Sequence, residues 1–253
     1  MTMNFRLDGK VAIITGSSRG IGAALATGYA EAGASLLLVS RSAPSEEMLA
    51  RIAATGQPYY CLSADLSKLE NIKPVVQTAL EKFGQIDILV NNAGIVRRAS
   101  VLEYTEEDWD SVLDTNLKVP FFLAQAVAQY MVERGQGGKI VNICSLLSFQ
   151  GGILVPGYTA AKHGLAGITK AMGNELATHG INVNGIAPGY IRTNNTAPLI
   201  ADEARYNAIL ERIPQGRWGE GSDLVGAAVF LAGSGSNWMQ GHILAVDGGW
   251  LGR

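Results

Sequence analysis

The chain has 253 residues, 47% hydrophobic and 17% charged, with a formal net charge of −2 and 31 glycines. That balance predicts a globular fold and excludes a disordered or low-complexity chain, and a charge near zero gives no electrostatic reason to expect a nucleic-acid partner. No apolar run approaches the ~18 residues of a membrane span, and the N-terminal stretch MTMNFRLDGK carries charges where a leader peptide needs an apolar core; a soluble cytoplasmic protein with no membrane partner is expected.

The length fits one α/β domain. Cys61 and Cys144 both sit in apolar, strand-like runs and are expected as buried thiols; His163, His179 and His242 are scattered without ligand spacing, so no metal is expected. The first apolar run, Lys10 to Thr15, leads into Gly16-Ser17-Ser18-Arg19-Gly20-Ile21-Gly22 and then a helical pattern, Ala23 to Ala32, closed by Gly33. Strand, glycine turn and helix make the setting of a phosphate-binding loop. Glycines let the backbone approach a pyrophosphate, and the helix start turns free amides and its positive dipole end towards the charge. The spacing is G-x-x-x-G-x-G. The second strand, Ser35 to Ser40, ends in Ser40-Arg41 where an NAD site would carry an acid. Arg41 and Arg19 can flank a 2′-phosphate with planar forks of donors, so NADP(H) is expected over NAD(H).

Strand three, Tyr59 to Ala64, ends at Asp65-Leu66, whose carboxylate can accept from an adenine amino group. A helix from Ser67 to Phe83 and a fourth strand, Ile86 to Val90, lead to Asn91-Asn92-Ala93-Gly94. Strands alternating with helices predict a doubly wound, Rossmann-type parallel sheet with its ligands at the carboxyl edge. Thr105-Glu106-Glu107-Asp108 opens a long helix towards Arg134, and Asn116 inside it predicts a kink, because its amide competes for backbone bonds. Strand five is Lys139 to Ile143. Strand six, Ile181 to Ala187, ends in Pro188-Gly189, and strand seven is His242 to Val246 after a helix from Ser222 to Ala232.

Between strands five and six lies the stretch that carries chemistry. Tyr158 and Lys162 are four residues apart, on one helical face, and an ammonium beside a phenol favours the phenolate, a usable proton donor or acceptor. Ser145, just past strand five, can face that helix and help grip an oxygen. The polar insertion at about 193–216 is expected as a flap, helical in its second half, over the substrate. Arg97 and Arg98 follow the asparagine turn and Arg217 follows the flap, so one of them is expected to hold a substrate carboxylate. Asn194, Asn195 and Gln150 would bind hydroxyls, and Trp218 would exclude water.

The loop TGSSRGIG, the NNAG turn, Asn116, Ser145, Tyr158-x-x-x-Lys162 and Pro188-Gly189, in this order across almost the whole chain, resemble the short-chain dehydrogenase/reductase family. The resemblance implies a single seven-stranded domain over 1–253 with Asn116, Ser145, Tyr158 and Lys162 as catalytic residues. It implies a cofactor site of Gly16, Ser18, Arg19, Gly20, Ile21, Gly22, Ser40, Arg41, Asp65, Leu66, Asn91, Ala93, Gly94, Tyr158, Lys162, Pro188, Gly189, Ile191 and Thr193. Asp65 would meet adenine, Asn91 and Gly94 the adenosine side, and Ile191 and Thr193 the nicotinamide carboxamide. Asn116 would hold a water that relays the proton. A homotetramer is also implied, packed through helices carrying Phe121, Phe122, Val127, Leu165, Ile168 and Met172. Within the family, NNAGIVRR, LSFQGGILVPGYTAAKHG, APGYIRTNNT, RIPQGRWG and AVDGGWLGR are similar to dehydrogenases of hexonate-derived sugar acids, which implies a small anionic substrate. The alternatives are a 3-oxoacyl thioester reductase of the same family and a non-catalytic dinucleotide-binding regulator, the latter opposed by the intact Ser145, Tyr158 and Lys162.

Overall fold

In a strand buried on both faces, successive side chains enter opposite cores, so the sequence runs continuously apolar. VAIIT, SLLLVS and ILVN are such runs. In the computed structural model, which describes residues 5–253, they become β1 (Val11–Thr15), β2 (Ser35–Ser40) and β4 (Ile88–Asn91). With β3 (Tyr59–Ser63), β5 (Gly138–Ile143), β6 (Ile181–Pro188) and β7 (Ile243–Val246) they form one parallel sheet in the order β3-β2-β1-β4-β5-β6-β7. Residues 1–4 of the stretch read for a leader lie outside the described part. Among the described residues, no helix is long and apolar enough to cross a membrane.

The helices are α1 (Gly20–Glu31), α2 (Glu46–Ala54), α3 (Ile72–Phe83), α4 (Glu106–Leu113), α5 (Val119–Arg134), α6 (Pro156–Leu176), α7 (Ala197–Ala201), α8 (Glu203–Leu210) and α9 (Val225–Ala232). Ala12 and Ile14 pack on one side with Leu25 of α1, Met48 and Ile52 of α2 and Ala228 of α9. Ile13 turns to the other side, with Val75 of α3, Val127 and Met131 of α5 and Met172 of α6. The chain order reverses between β1 and β4, which opens a crevice at their carboxyl ends.

Four sequence expectations change. Helix α2 was not foreseen, although Ser45 caps it by accepting from Met48 N at 3.2 Å and two glutamates follow in its first turn. Cys61 is exposed, because β3 is the outermost strand; Cys144 is buried, which pushes its thiol up to about 11. Val127, Leu165 and Met172 are consumed by the subunit's own core, leaving Phe122 as the exposed large apolar residue of that set. The kink at Asn116 is a five-residue π-helical turn, Asp114–Lys118, where Val119 N–H reaches back to Asp114 O; it joins α4 to α5 without a break.

Lys139, at the amino end of β5, donates to Asn182 Oδ1 at 2.8 Å, Asn237 Oδ1 at 2.7 Å and Ser236 Oγ at 3.3 Å, all neutral acceptors. Burial lowers it from the ordinary 10.5 to about 8. Below about 8 the amine is charged in both folded and unfolded chains; between there and 10.5 only the unfolded chain keeps the proton, so raising the pH favours the fold. Urea midpoints of the wild type should therefore climb relative to Lys139→Met from pH 8 to 10. A constant difference between the two would show that the amine is not perturbed.

Candidate active site

The crevice holds a cavity of about 960 Å³ running from the glycine loop to the flap. Thr15 joins its two walls. Its Oγ1 accepts from Asn92 N and Ala93 N, both at 3.0 Å, and donates to Val90 O, while Asn92 Nδ2 donates to the carbonyls of Thr15 at 2.9 Å and Gly16 at 3.1 Å. The NNAG turn is thereby tied to the glycine loop. Gly16 sits at φ +64, where a Cβ would lie 2.9 Å from Ala93 Cα, so glycine is needed for this close approach as well as for the turn.

Helix α1 starts at Gly20 with no side-chain cap and no acid in its first turn, whereas Ser45, Thr105 and Asp202 cap α2, α4 and α8. Its free amides and positive dipole end are left for an anion. Ser18, Arg19, Ile21, Gly22, Ser40 and Arg41 line the same end of the cavity. Asp65 and Leu66 line it too. The Asp65 carboxyl is held below its ordinary range by two hydrogen bonds from Ser67, at 2.9 and 3.1 Å, with Arg41 and Lys68 adding their charges. An uncapped helix start, cationic forks and a carboxylate along one wall fit a dinucleotide, whose pyrophosphate would sit at Gly20 to Gly22. Ala93, Gly94, Pro188, Gly189, Ile191 and Thr193 continue the lining towards the flap.

At the far end, Ser145 follows β5 and starts a short 3-10 turn, Leu146–Ser148; its Oγ accepts from Leu147 N at 3.1 Å, which leaves its own O–H to donate. Ser148 Oγ donates to Lys162 O at 2.8 Å, clamping α6 to that turn. Lys162 is buried, and its Nζ donates to Ile143 O at 2.6 Å and lies 5.5 Å from the Tyr158 ring centre. Ser145, Tyr158 and Lys162 line one space with Gln150, Asn194 and Asn195.

Other expected residues are buried or already hold partners. Asn91 points into the core, donating to Asn142 Oδ1 at 2.9 Å and Pro120 O at 3.2 Å, because β4 is covered on that face; Asn92 takes its place on the wall. Asn116 is fully buried, and its amide closes on Ile95, accepting from its N–H at 2.9 Å and donating to its carbonyl at 2.8 Å. Arg97 and Arg98 both line the cavity, but Arg97 pairs with Asp108 at 3.4 Å, and Arg98 donates to Asn195 O at 2.7 Å and ties the start of the 193–216 segment to the asparagine turn. Arg217 is turned away into a bidentate pair with Asp223, at 2.7 and 2.8 Å, which drives that carboxyl down to about 2. Trp218 is buried beneath α8, stacked on Tyr206 at 5.4 Å, and the tryptophan lining the cavity is Trp250, whose Nε1 donates to Gln150 Oε1 at 2.9 Å. Arg205 and Arg212, which also line it, were missed. Their seven-residue separation, two helical turns, was the available signal.

A doubly wound sheet with an uncapped glycine-loop helix and a Tyr-x-x-x-Lys pair at its carboxyl edge is a nicotinamide-dependent oxidoreductase fold. The sequence model of the short chain dehydrogenase family matches residues 10–204, and the chain belongs to that family. It is 51% identical over 249 residues to a 2-dehydro-3-deoxy-D-gluconate 5-dehydrogenase of Escherichia coli, covering 98% of each chain. A crystal structure from Agrobacterium tumefaciens with bound NADP, described as a candidate 2-deoxy-D-gluconate 3-dehydrogenase, is 52% identical with a TM-score of 0.91, covering 100% of both chains. A gluconate 5-dehydrogenase from Burkholderia cenocepacia in complex with NADP and tartrate is 40% identical with a TM-score of 0.92, covering 99% of this chain and 98% of that one.

A Cβ on Gly22 would press into the Gly16 carbonyl oxygen and the Asn92 amide, both held by the Thr15 and Asn92 bonds. Gly22→Ala should cost about 1–3 kcal/mol in urea unfolding and weaken nucleotide binding as well. A variant with wild-type stability and binding would mean that the loop yields freely.

Proposed function

We propose that this chain is an NADP(H)-preferring dehydrogenase/reductase of sugar acids, of the 2-dehydro-3-deoxy-D-gluconate 5-dehydrogenase type, with NAD(H) as the weaker cofactor. The observation that carries the reading is that Tyr158, Lys162 and Ser145 share one cavity with the uncapped start of α1. The substrate class is supported by the names of the relatives. The quoted sequence stretches put a 2-deoxy-D-gluconate 3-dehydrogenase type first; the Escherichia coli relative's name moves the preferred carbon to position 5.

When bound, the nicotinamide supplies the hydride exchange. The residues of this chain manage the oxygen and its proton. Ser145, oriented by the bond its Oγ accepts from Leu147 N, donates its O–H to the substrate oxygen. Tyr158 takes the hydroxyl proton in oxidation and returns it in reduction. Lys162, anchored on Ile143 O, holds a positive charge beside the phenol and has further N–H donors for the cofactor ribose. Asn116 positions the Ile95 backbone and the π-helical turn, and Arg98 holds the flap's start over the cavity. The segment at about 193–216 is assigned to substrate closure. The assembly we propose is a homotetramer, carried by the family resemblance and by exposed Trp109 and Phe122, and light scattering reads it directly.

Oxidation of 2-dehydro-3-deoxy-D-gluconate, 2-deoxy-D-gluconate and D-gluconate, and reduction of the corresponding 3- and 5-oxo forms and of a 3-oxoacyl thioester, assayed with each cofactor, tests the assignment. Turnover confined to the thioester would replace it. Tyr158→Phe should keep NADP binding and lose at least about a hundredfold in kcat; near wild-type turnover would remove the phenol from the reaction. The wild type should favour NADP in kcat/KM, and Ser40→Asp with Arg41→Leu should reverse that order by placing a carboxylate where Arg41 offered donors. Equal kcat/KM values for the two cofactors in the wild type would end the case for a 2′-phosphate site.

A further inference from the structure

Among the described residues, two guanidiniums on the flap side of the cavity have no acid to answer them. Arg205, on α8, and Arg212, in the turn after it, line the cavity together with Ser145, Tyr158, Gln150 and Trp250. Among the described residues neither has a carboxylate within ion-pair distance. The neighbouring arginines are engaged: Arg192 pairs with Glu220 at 3.3 Å and donates to Tyr206 Oη at 3.1 Å, and Arg217 is held by Asp223. The two carboxylates that line the cavity are engaged as well, Asp65 by Ser67 and Asp114 by Lys118 at 3.1 Å.

The surroundings give these charges a fixed place. The Arg212 guanidinium carbon lies 4.0 Å from the centre of the Trp250 ring. Trp250 is itself locked, by its bond to Gln150 and by Tyr190, whose ring centre is 4.7 Å away. Stacking uses the face of a guanidinium and leaves its in-plane N–H groups for a carboxylate, the geometry in which Arg binds most directionally. Burial raises the pKa of the Tyr190 phenol, and the charges of Arg205 and Arg212 both pull it the other way, so the two guanidiniums converge on one region. Like charges held together without a counterion repel, and a bound anion relieves that repulsion.

We propose that Arg205 and Arg212 are the carboxylate-recognition site of the substrate, taking the acid end of a sugar acid while Ser145 and Tyr158 face the reacting hydroxyl. The inference rests on the sugar-acid reading above and transfers carboxylate binding away from Arg97, Arg98 and Arg217, which are tied to Asp108, Asn195 and Asp223. The stack of Tyr206 of α8 on the buried Trp218 gives the helix that carries Arg205 a fixed seat.

The test uses the full-length protein saturated with NADP. Arg205→Ala, Arg212→Ala and the double variant are compared with the wild type on 2-dehydro-3-deoxy-D-gluconate, D-gluconate and 2-deoxy-D-gluconate, and binding of tartrate, a small dicarboxylate, is followed by tryptophan fluorescence. Each single change should raise KM for the acids by about 10- to 100-fold, the worth of a charge-assisted hydrogen-bonded pair. Turnover at saturation should stay within about threefold, since the carboxylate contact is the same in ground and transition states. NADP affinity and thermal midpoint should be unchanged, and Arg212→Lys should recover only part of the loss. Unchanged KM, or KM rising together with weaker NADP binding and lower thermal stability, would overturn the proposal. Should an alanine variant not fold, Arg205→Gln and Arg212→Gln replace it under the same criteria. If the wild type oxidises no sugar acid, the functional reading falls, and tartrate decides the site separately. Saturable tartrate binding lost in the double variant supports it; equal binding in both, or none in the wild type, overturns it.

Discussion

The bond from Lys162 Nζ to Ile143 O, 2.6 Å long and buried, is the constraint on which the reacting end depends. An ammonium removed from water needs strong acceptors, and the carbonyl at the end of β5 is an acceptor that sheet pairing leaves free. Meeting that need fixes the helix to the sheet. Ser148 adds a second tie by donating to the Lys162 carbonyl, and Ser145, three residues earlier, is oriented by the same short turn. The phenol, one turn before the lysine, therefore has little freedom about where it stands relative to the serine. Pre-organisation of this kind is what positioned acid–base chemistry requires.

A second constraint governs the cofactor end. The sheet reverses direction of growth between β1 and β4, and the two loops that leave those strands must pack on each other. Thr15 and Asn92 make that contact with five hydrogen bonds, and small residues at Gly16, Gly22 and Ala93 allow the backbones to approach. The start of α1 can then remain uncapped, because the loop around it is rigid without help from an N-cap side chain. What would be a defect in an ordinary helix becomes a place for an anion.

Between the two ends, the segment carrying α7 and α8 borders the cavity. It is held at its beginning by Arg98 on Asn195 O, and at its far end by a pillar of Tyr190, Tyr206, Trp218 and Trp250. Aromatic packing suits this task, since large rigid rings support a loop with little residual freedom. Ion pairs within the same region sort the arginines: those near acids are neutralised, and those without acids face the cavity.

Much of this was legible in the sequence because local rules set it. Apolar runs of strand length, the glycine turn before a helix and the four-residue spacing of Tyr158 and Lys162 are all short-range facts, so strand identities, the loop and the helix that carries Tyr158 and Lys162 could be read directly. Helix α2 was legible too, from Ser45, Glu46 and Glu47 and the i, i+4 pair Met48 and Ile52, and was overlooked. What the sequence could not decide was which partner each long polar side chain would find. Arg217 and Asp223 are close in the chain, yet only the bridge between Ile191 and Gly219 sets the path that brings them together; Asn91 and Asn92 are adjacent, and only the covering of β4 sends one to the core and the other to the cavity. Trp250 lies 100 residues from Gln150, and no periodicity links them. Local spacing fixes secondary structure and the pairing of Tyr158 with Lys162; charge pairing and aromatic packing depend on distances that exist only once the chain has folded.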